Sequence, residues 1–82
     1  MVENNVEALL KQIGSNIKTY RKQKGAGWTQ EKLAEQAGIN SKHLSDIERG
    51  KYNISIAYLC KIANALEVSY RQLLDGQSED GE

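Results

Sequence analysis

The chain has no proline and no phenylalanine, and among its 82 residues there is one tryptophan, one cysteine and one histidine. With no proline to interrupt a helix, and with Ile and Leu dominating a near-average apolar share, the composition points to a compact helical protein. A lone cysteine excludes an intrachain disulfide and cannot by itself build a cysteine-based zinc site. Cys60 lies between Leu59 and Ile62, so it reads as a reduced core residue, which fits a cytoplasmic setting. The single histidine, His43, has no second histidine or cysteine near it in sequence, so neither a metal site nor a cofactor is expected. No apolar run approaches the roughly eighteen residues of a membrane span, and no charged-then-apolar leader is visible. Neither a membrane partner nor a signal peptide is expected.

An excess of charge of either sign is also missing, because eleven basic residues balance eleven acidic ones. The distribution is uneven, however. Glu3 and Glu7 lie at the front, and Asp75, Glu79, Asp80 and Glu82 at the back. Between Lys11 and Leu74 stand eleven Lys/Arg against five Asp/Glu, a local balance of +6. The local field governs the encounter of a surface with phosphate, so a neutral total does not exclude nucleic acid.

The length suits one domain with a single modest core. Residues 1–5 are polar and 77–82 acidic, and both ends are expected to be disordered. Residues 6–76 form the domain, and five helices are predicted in it. Val6, Leu9/Leu10, Ile13, Ile17 and Tyr20 recur at steps of three and four, placing one apolar stripe of the first helix inward. That helix stops near Gly25, and Gly25-Ala26-Gly27 reads as a flexible link. Thr29 caps a second helix, Gln30 to Ala37, with Glu31 in its first turn and Gly38 at its end. Asn40 or Ser41 caps a third, stopped by Gly50. After a polar connector, Lys51 to Asn53, Ser55 caps a fourth, whose Ile56, Leu59/Cys60, Ala63 and Leu66 face the core. Ser69 caps a short fifth helix ending near Gly76.

The informative stretch is Gln30 to Arg49, where two short helices meet at a glycine. Ala34 is small where the helices should cross closely, and Gly38 sits where a sharp turn needs positive φ. With Leu33, Ile39, Leu44 and Ile47 inward, the third helix shows Ser41, Lys42, His43, Ser45, Asp46 and Arg49 outward. These hydrogen-bonding side chains of moderate reach suit base edges and phosphates in a major groove.

The segments IGSNIKTYRKQKG, WTQEKLAEQAGINSKHLSDIERGK and SIAYLCKIANALEVSYRQLL resemble the Cro/repressor-type, XRE-like helix-turn-helix family, over roughly Ile13 to Leu74. The resemblance implies an all-α, five-helix, lambda-repressor-like fold. One departure is the link before Trp28, about two residues longer than is usual for the family. By resemblance, Gln30 touches a phosphate and braces the reading helix, Ser41 and Lys42 are the first base-reading positions, and Asp46 is a later one. Lys42 suits guanine O6/N7 and Asp46 could accept from cytosine N4. His43 and Ser45 would lie at the groove edge, while Lys51, Tyr52 and Asn53 match a connector that grips the sugar-phosphate backbone. Thr29, Asn40 and Arg49 complete the expected phosphate-facing set. Arg21 and Glu48 match an ion pair tying the first helix to the third.

Plainer readings stand beside these. His43 is either DNA-facing or solvated. Lys18, Arg21, Lys22 and Lys24 are either a phosphate-facing cluster or a solvated helix face. Asp46 either reads a base or braces Lys42 or Arg49, and Tyr52 is either a phosphate donor or a lid over the core. Trp28 reads as a packing residue beside the long link. No nucleophile–base pairing, paired carboxylates or phosphate-binding glycine loop is legible, so an enzyme is not expected.

The expected function is transcriptional regulation through double-stranded DNA, with a homodimer on a near-palindromic operator. Val68, Tyr70, Leu73 and Leu74 supply apolar surface for that dimer. Regulation runs either by covering a promoter or by touching RNA polymerase. The alternatives are an antitoxin that silences a toxin, a restriction–modification controller protein, and a protein-interaction module that has lost DNA binding.

Overall fold

In the computed structural model, which describes residues 4–75, five helices follow one another and no strand occurs among those residues. They are α1 (Val6–Gln23), α2 (Gln30–Ala37), α3 (Ser41–Glu48), α4 (Ile56–Leu66) and α5 (Tyr70–Asp75). Each of the first four begins with the polar cap its sequence supplies. The Asn5 side chain accepts from the Ala8 amide, Thr29 from Lys32, Asn40 from Lys42 and His43, and Ser55 from Tyr58. At α5, the Ser69 hydroxyl accepts from the Arg71 amide while the Gln72 side chain accepts from the Ser69 amide, a reciprocal capping box. Asn5 therefore belongs to the ordered domain, not to a disordered N-terminus. Of the expected disordered ends, residues 1–3 and 77–82 lie outside the described residues, as does the helix stop near Gly76.

One core joins all five helices. Ile13 and Ile17 of α1 meet Leu33, Ala34 and Ala37 of α2, Leu44 and Ile47 of α3, Leu59, Ile62, Ala63 and Leu66 of α4, and Leu73 of α5. Trp28, Ile39, Tyr58 and Val68 pack against its edge, which gives Trp28 the packing role expected of it. Asn16, buried beside this core, donates from Nδ2 to the Leu73 carbonyl at 2.8 Å and fastens α5 to the middle of α1.

Four apolar residues expected inside are exposed. Val6 and Leu9 belong to the first turns of α1, an eighteen-residue helix about 27 Å long whose N-terminal end no other helix covers. Ile56, 75% exposed, likewise continues the α4 stripe into a turn that nothing among the described residues covers. Cys60 is exposed because Leu59, Ile62, Ala63 and Leu66 already define the inward face, and it lies about 100° round the helix from Leu59. No helix among the described residues is long and apolar enough to cross a membrane.

Candidate nucleic-acid interface

The turn between α2 and α3 sets the geometry. Gly38 takes the left-handed conformation, with φ 74° and ψ 34°, and the Ile39 amide returns to the Ala34 carbonyl at 2.9 Å. Leu33, Ala34, Leu44 and Ile47 are all buried, so the two helices are locked across their shared apolar face.

A buried polar cluster then fixes α3 against the rest of the domain. Arg21 of α1 donates to both carboxylate oxygens of Glu48, from Nε at 2.7 Å and from Nη2 at 3.0 Å. Its Nη1 donates to the Trp28 carbonyl at 2.9 Å, so the guanidinium also pins the end of the long link. Gln30, the first residue of α2, donates from Nε2 to Glu48 Oε1 at 3.0 Å. The structural ion pair is thus present, and Gln30 is the brace expected of it. One amide hydrogen of Gln30 remains for an outside acceptor. Arg21, buried in this pair, is not part of a solvated or phosphate-facing cluster.

With its inner side held, α3 turns outward Lys42, which is exposed, and Ser41, Ser45 and Asp46, which are half-exposed. Asp46 Oδ1 lies 3.4 Å from Arg49 Nη2, both partly solvated, in keeping with the bracing alternative. Thr29 and Asn40 spend side-chain oxygens as cap acceptors, which leaves the Thr29 O–H and the Asn40 amide hydrogens as donors. The connector after α3 begins with Gly50, at φ 72°, followed by exposed Lys51, Tyr52 and Asn53. The Lys51 amide donates back to the Asp46 carbonyl at 2.9 Å.

Two expectations need correction. His43 is half-buried and not free in solvent. Its ring stands edge-on between Tyr52 and Tyr58, and its Nε2 is buried without a partner. Tyr52 packs on that histidine with 42% of its surface exposed, so it covers α3. In the expected dimer patch, Leu73 is fully buried in the domain's own core and cannot meet a second chain. Val68 and Leu74 are half-buried, and Tyr70 remains 46% exposed.

Sequence reasoning also passed over Gly14. A Cβ at that position would collide with the Ile47 carbonyl oxygen and stand 2.6 Å from that of Glu48. The close approach of α1 to the end of α3 therefore requires glycine, and it is what brings Arg21 within reach of Glu48. The signal was there, because a glycine inside a helix costs about 1 kcal/mol relative to alanine and calls for a reason.

This arrangement can be set beside known proteins. The helix-turn-helix family profile matches residues 17–73. The chain belongs to that family, in its Cro/repressor-type branch. The family match begins at the middle of α1 and takes in the whole of α2, α3 and α4. The HTH-type transcriptional regulator SinR of Bacillus subtilis is 46% identical over 68 residues, covering 82% of this chain and 60% of SinR. This chain thus corresponds to rather more than half the length of that relative. Among solved structures, the restriction-modification controller protein C.AhdI of Aeromonas hydrophila superposes with a TM-score of 0.76 at 33% identity, over 80% of this chain and 97% of C.AhdI. SinR solved in complex with DNA superposes with a TM-score of 0.71 at 47% identity, over 77% of this chain and 98% of that one.

Proposed function

We propose that this helix-turn-helix chain is a sequence-specific DNA-binding transcriptional regulator that lays α3 in the major groove and binds a near-palindromic operator as a homodimer. The observation that carries this reading is the Arg21–Glu48–Gln30 cluster. It spends two buried side chains, Arg21 and Glu48, and the half-buried Gln30 on fixing α3, whose outer face is turned away from its own domain's core. Ser41 and Lys42 meet base edges, Lys42 at guanine O6/N7, and Asp46 orients Arg49 or accepts from cytosine N4. Thr29, Gln30, Asn40, Ser45, Arg49, Lys51, Tyr52 and Asn53 supply donors to the backbone, which fix register without reading sequence. Two copies joined through the α5 face, with Tyr70 at its centre and Val68 and Leu74 beside it, put their α3 helices in major grooves about 34–36 Å apart.

A restriction–modification controller protein is a narrower version of the same reading, favoured by the near-complete coverage of C.AhdI. Restriction and methyltransferase genes beside this one would support it.

The test is a titration of the purified protein against DNA from upstream of its own gene and against random duplex, across a salt series. Tight, selective binding that weakens steeply with salt, with protection over two half-sites, is the expected result. Equal and weak affinity for both duplexes would contradict autoregulation.

A further inference from the structure

We infer that Tyr58 and His43 are positioning residues that hold the Tyr52 hydroxyl toward a phosphate of the bound DNA backbone, an inference that rests on the DNA-binding reading. Tyr52 lies in a connector with little to fix it. Gly50 and Lys51 donate back to Ile47 and Asp46, but among the described residues no amide from Tyr52 to Ile54 donates to a backbone carbonyl. Nor does the Tyr52 hydroxyl have a hydrogen-bond partner there. The direction of its ring must therefore come from side-chain packing.

That packing is a three-ring stack. The Tyr52 and His43 centroids are 3.9 Å apart with an interplanar angle of 66°, and those of His43 and Tyr58 are 5.0 Å apart at 63°. Both are edge-to-face arrangements, and the His43–Tyr58 separation lies in the range that ring quadrupoles favour, while Tyr52 and His43 are in closer contact. Tyr58 sits on α4, outside the two helices of the motif, and is half-buried against the main core. The His43 amide is held by the Asn40 cap in the first turn of α3. A continuous path of packed groups thus runs from the core through Tyr58 and His43 to the connector.

The histidine keeps its place at a cost. A buried ring nitrogen without a partner loses its hydration and gets nothing in return, a penalty an apolar side chain would not carry. A cation stands beside the stack, with Lys61 Nζ 5.5 Å from the centre of the Tyr58 ring. With Lys51 adjacent in sequence, the stack ends in a free phenolic O–H at a basic edge, the chemistry that recognises a phosphate oxygen.

A double-mutant cycle tests this, using as probe a duplex enriched by the wild-type protein from a random-sequence pool. Tyr52→Phe, which removes only the hydroxyl, is expected to weaken binding roughly tenfold, the order of one hydrogen bond to a charged group. Tyr58→Ala should cost a similar factor in the wild-type background and almost nothing in the Tyr52→Phe background, with Tyr58→Phe restoring wild-type affinity. If Tyr58→Ala does not fold, as read from its urea midpoint, Tyr58→Leu takes its place in the same cycle. Equal losses from the Tyr58 variant in both backgrounds would mean a merely structural role and overturn the inference. No loss from Tyr52→Phe would overturn it as well. If no duplex is enriched from the pool, the DNA-binding reading fails and the inference falls with it, whereas an enriched duplex indifferent to these substitutions sinks the inference alone.

Discussion

Arg21 and Glu48, twenty-seven positions apart in sequence, form a two-pronged ion pair whose side chains are only 10% and 2% exposed. A pair so deeply placed adds little to stability by itself, because both charges have been stripped of water. Breaking it is another matter. Arg21→Ala leaves a buried carboxylate with Gln30 as its remaining side-chain partner among the described residues and is expected to cost about 3–5 kcal/mol, a large part of the stability of so small a domain. Replacing both partners, Arg21→Met with Glu48→Leu, should recover most of that loss in urea unfolding. DNA affinity should stay low in the double variant, because Gln30 then has nothing to brace against.

Gly14 sets the distance over which that pair can form. Gly14→Ala would press a methyl into the carbonyls of Ile47 and Glu48, which are backbone and cannot swing aside. The expected cost is roughly 1–3 kcal/mol, seen as a lower urea midpoint with an unchanged slope.

Gly38 and Gly50 share nearly the same φ, 74° and 72°, yet their surroundings differ. A Cβ on Gly38 would meet nothing within 4 Å, so Gly38→Ala should cost only the left-handed penalty of about 1–2 kcal/mol. On Gly50 it would stand 2.7 Å from the Lys11 Cα, so Gly50→Ala should cost more. Glu67, at φ 61°, is the reverse case, a non-glycine residue in a glycine conformation at the end of α4. Glu67→Gly should stabilise the domain by about 1 kcal/mol, since its 3.4 Å contact with Lys24 is solvated and weak. Thermal midpoints of the three variants give the ranking.

The helices, their caps and the Gly38 turn were legible in the sequence because each depends on neighbours a few residues away. The family motif made Arg21, Gln30 and Glu48 legible as well. What could not be read was where each helix outruns its neighbours. Periodicity gives Val6, Leu9 and Ile56 the inward phase, but only the packed domain shows that nothing among the described residues lies over those turns. His43 was missed for the same reason, since its partner Tyr58 comes from a helix fifteen residues later in the chain. Leu73 was offered to a dimer because the depth to which α5 sinks is set by Asn16, whose bond to the Leu73 carbonyl leaves no trace in either segment.

Lys42 and Lys51 should separate by what they touch. Lys51→Ala is expected to weaken selected and random duplex alike and to lower the salt slope by about 1, as for one lost phosphate contact. Lys42→Ala should weaken the selected duplex by about 1–3 kcal/mol and leave random DNA less affected, since a base contact carries the sequence information. Filter-binding titrations at several salt concentrations distinguish the two.

Methylation interference tests the placement of α3 most directly. Guanine N7 projects into the major groove, so a methyl group there obstructs only a protein that reads from that side. On a duplex selected by the wild-type protein, blocked guanines should fall in two symmetric clusters about one helical turn apart, and the cluster pattern should weaken with Lys42→Ala. Strong, selective binding without any N7 interference, or with adenine N3 interference from the minor groove alone, would contradict the docking of α3 in the major groove.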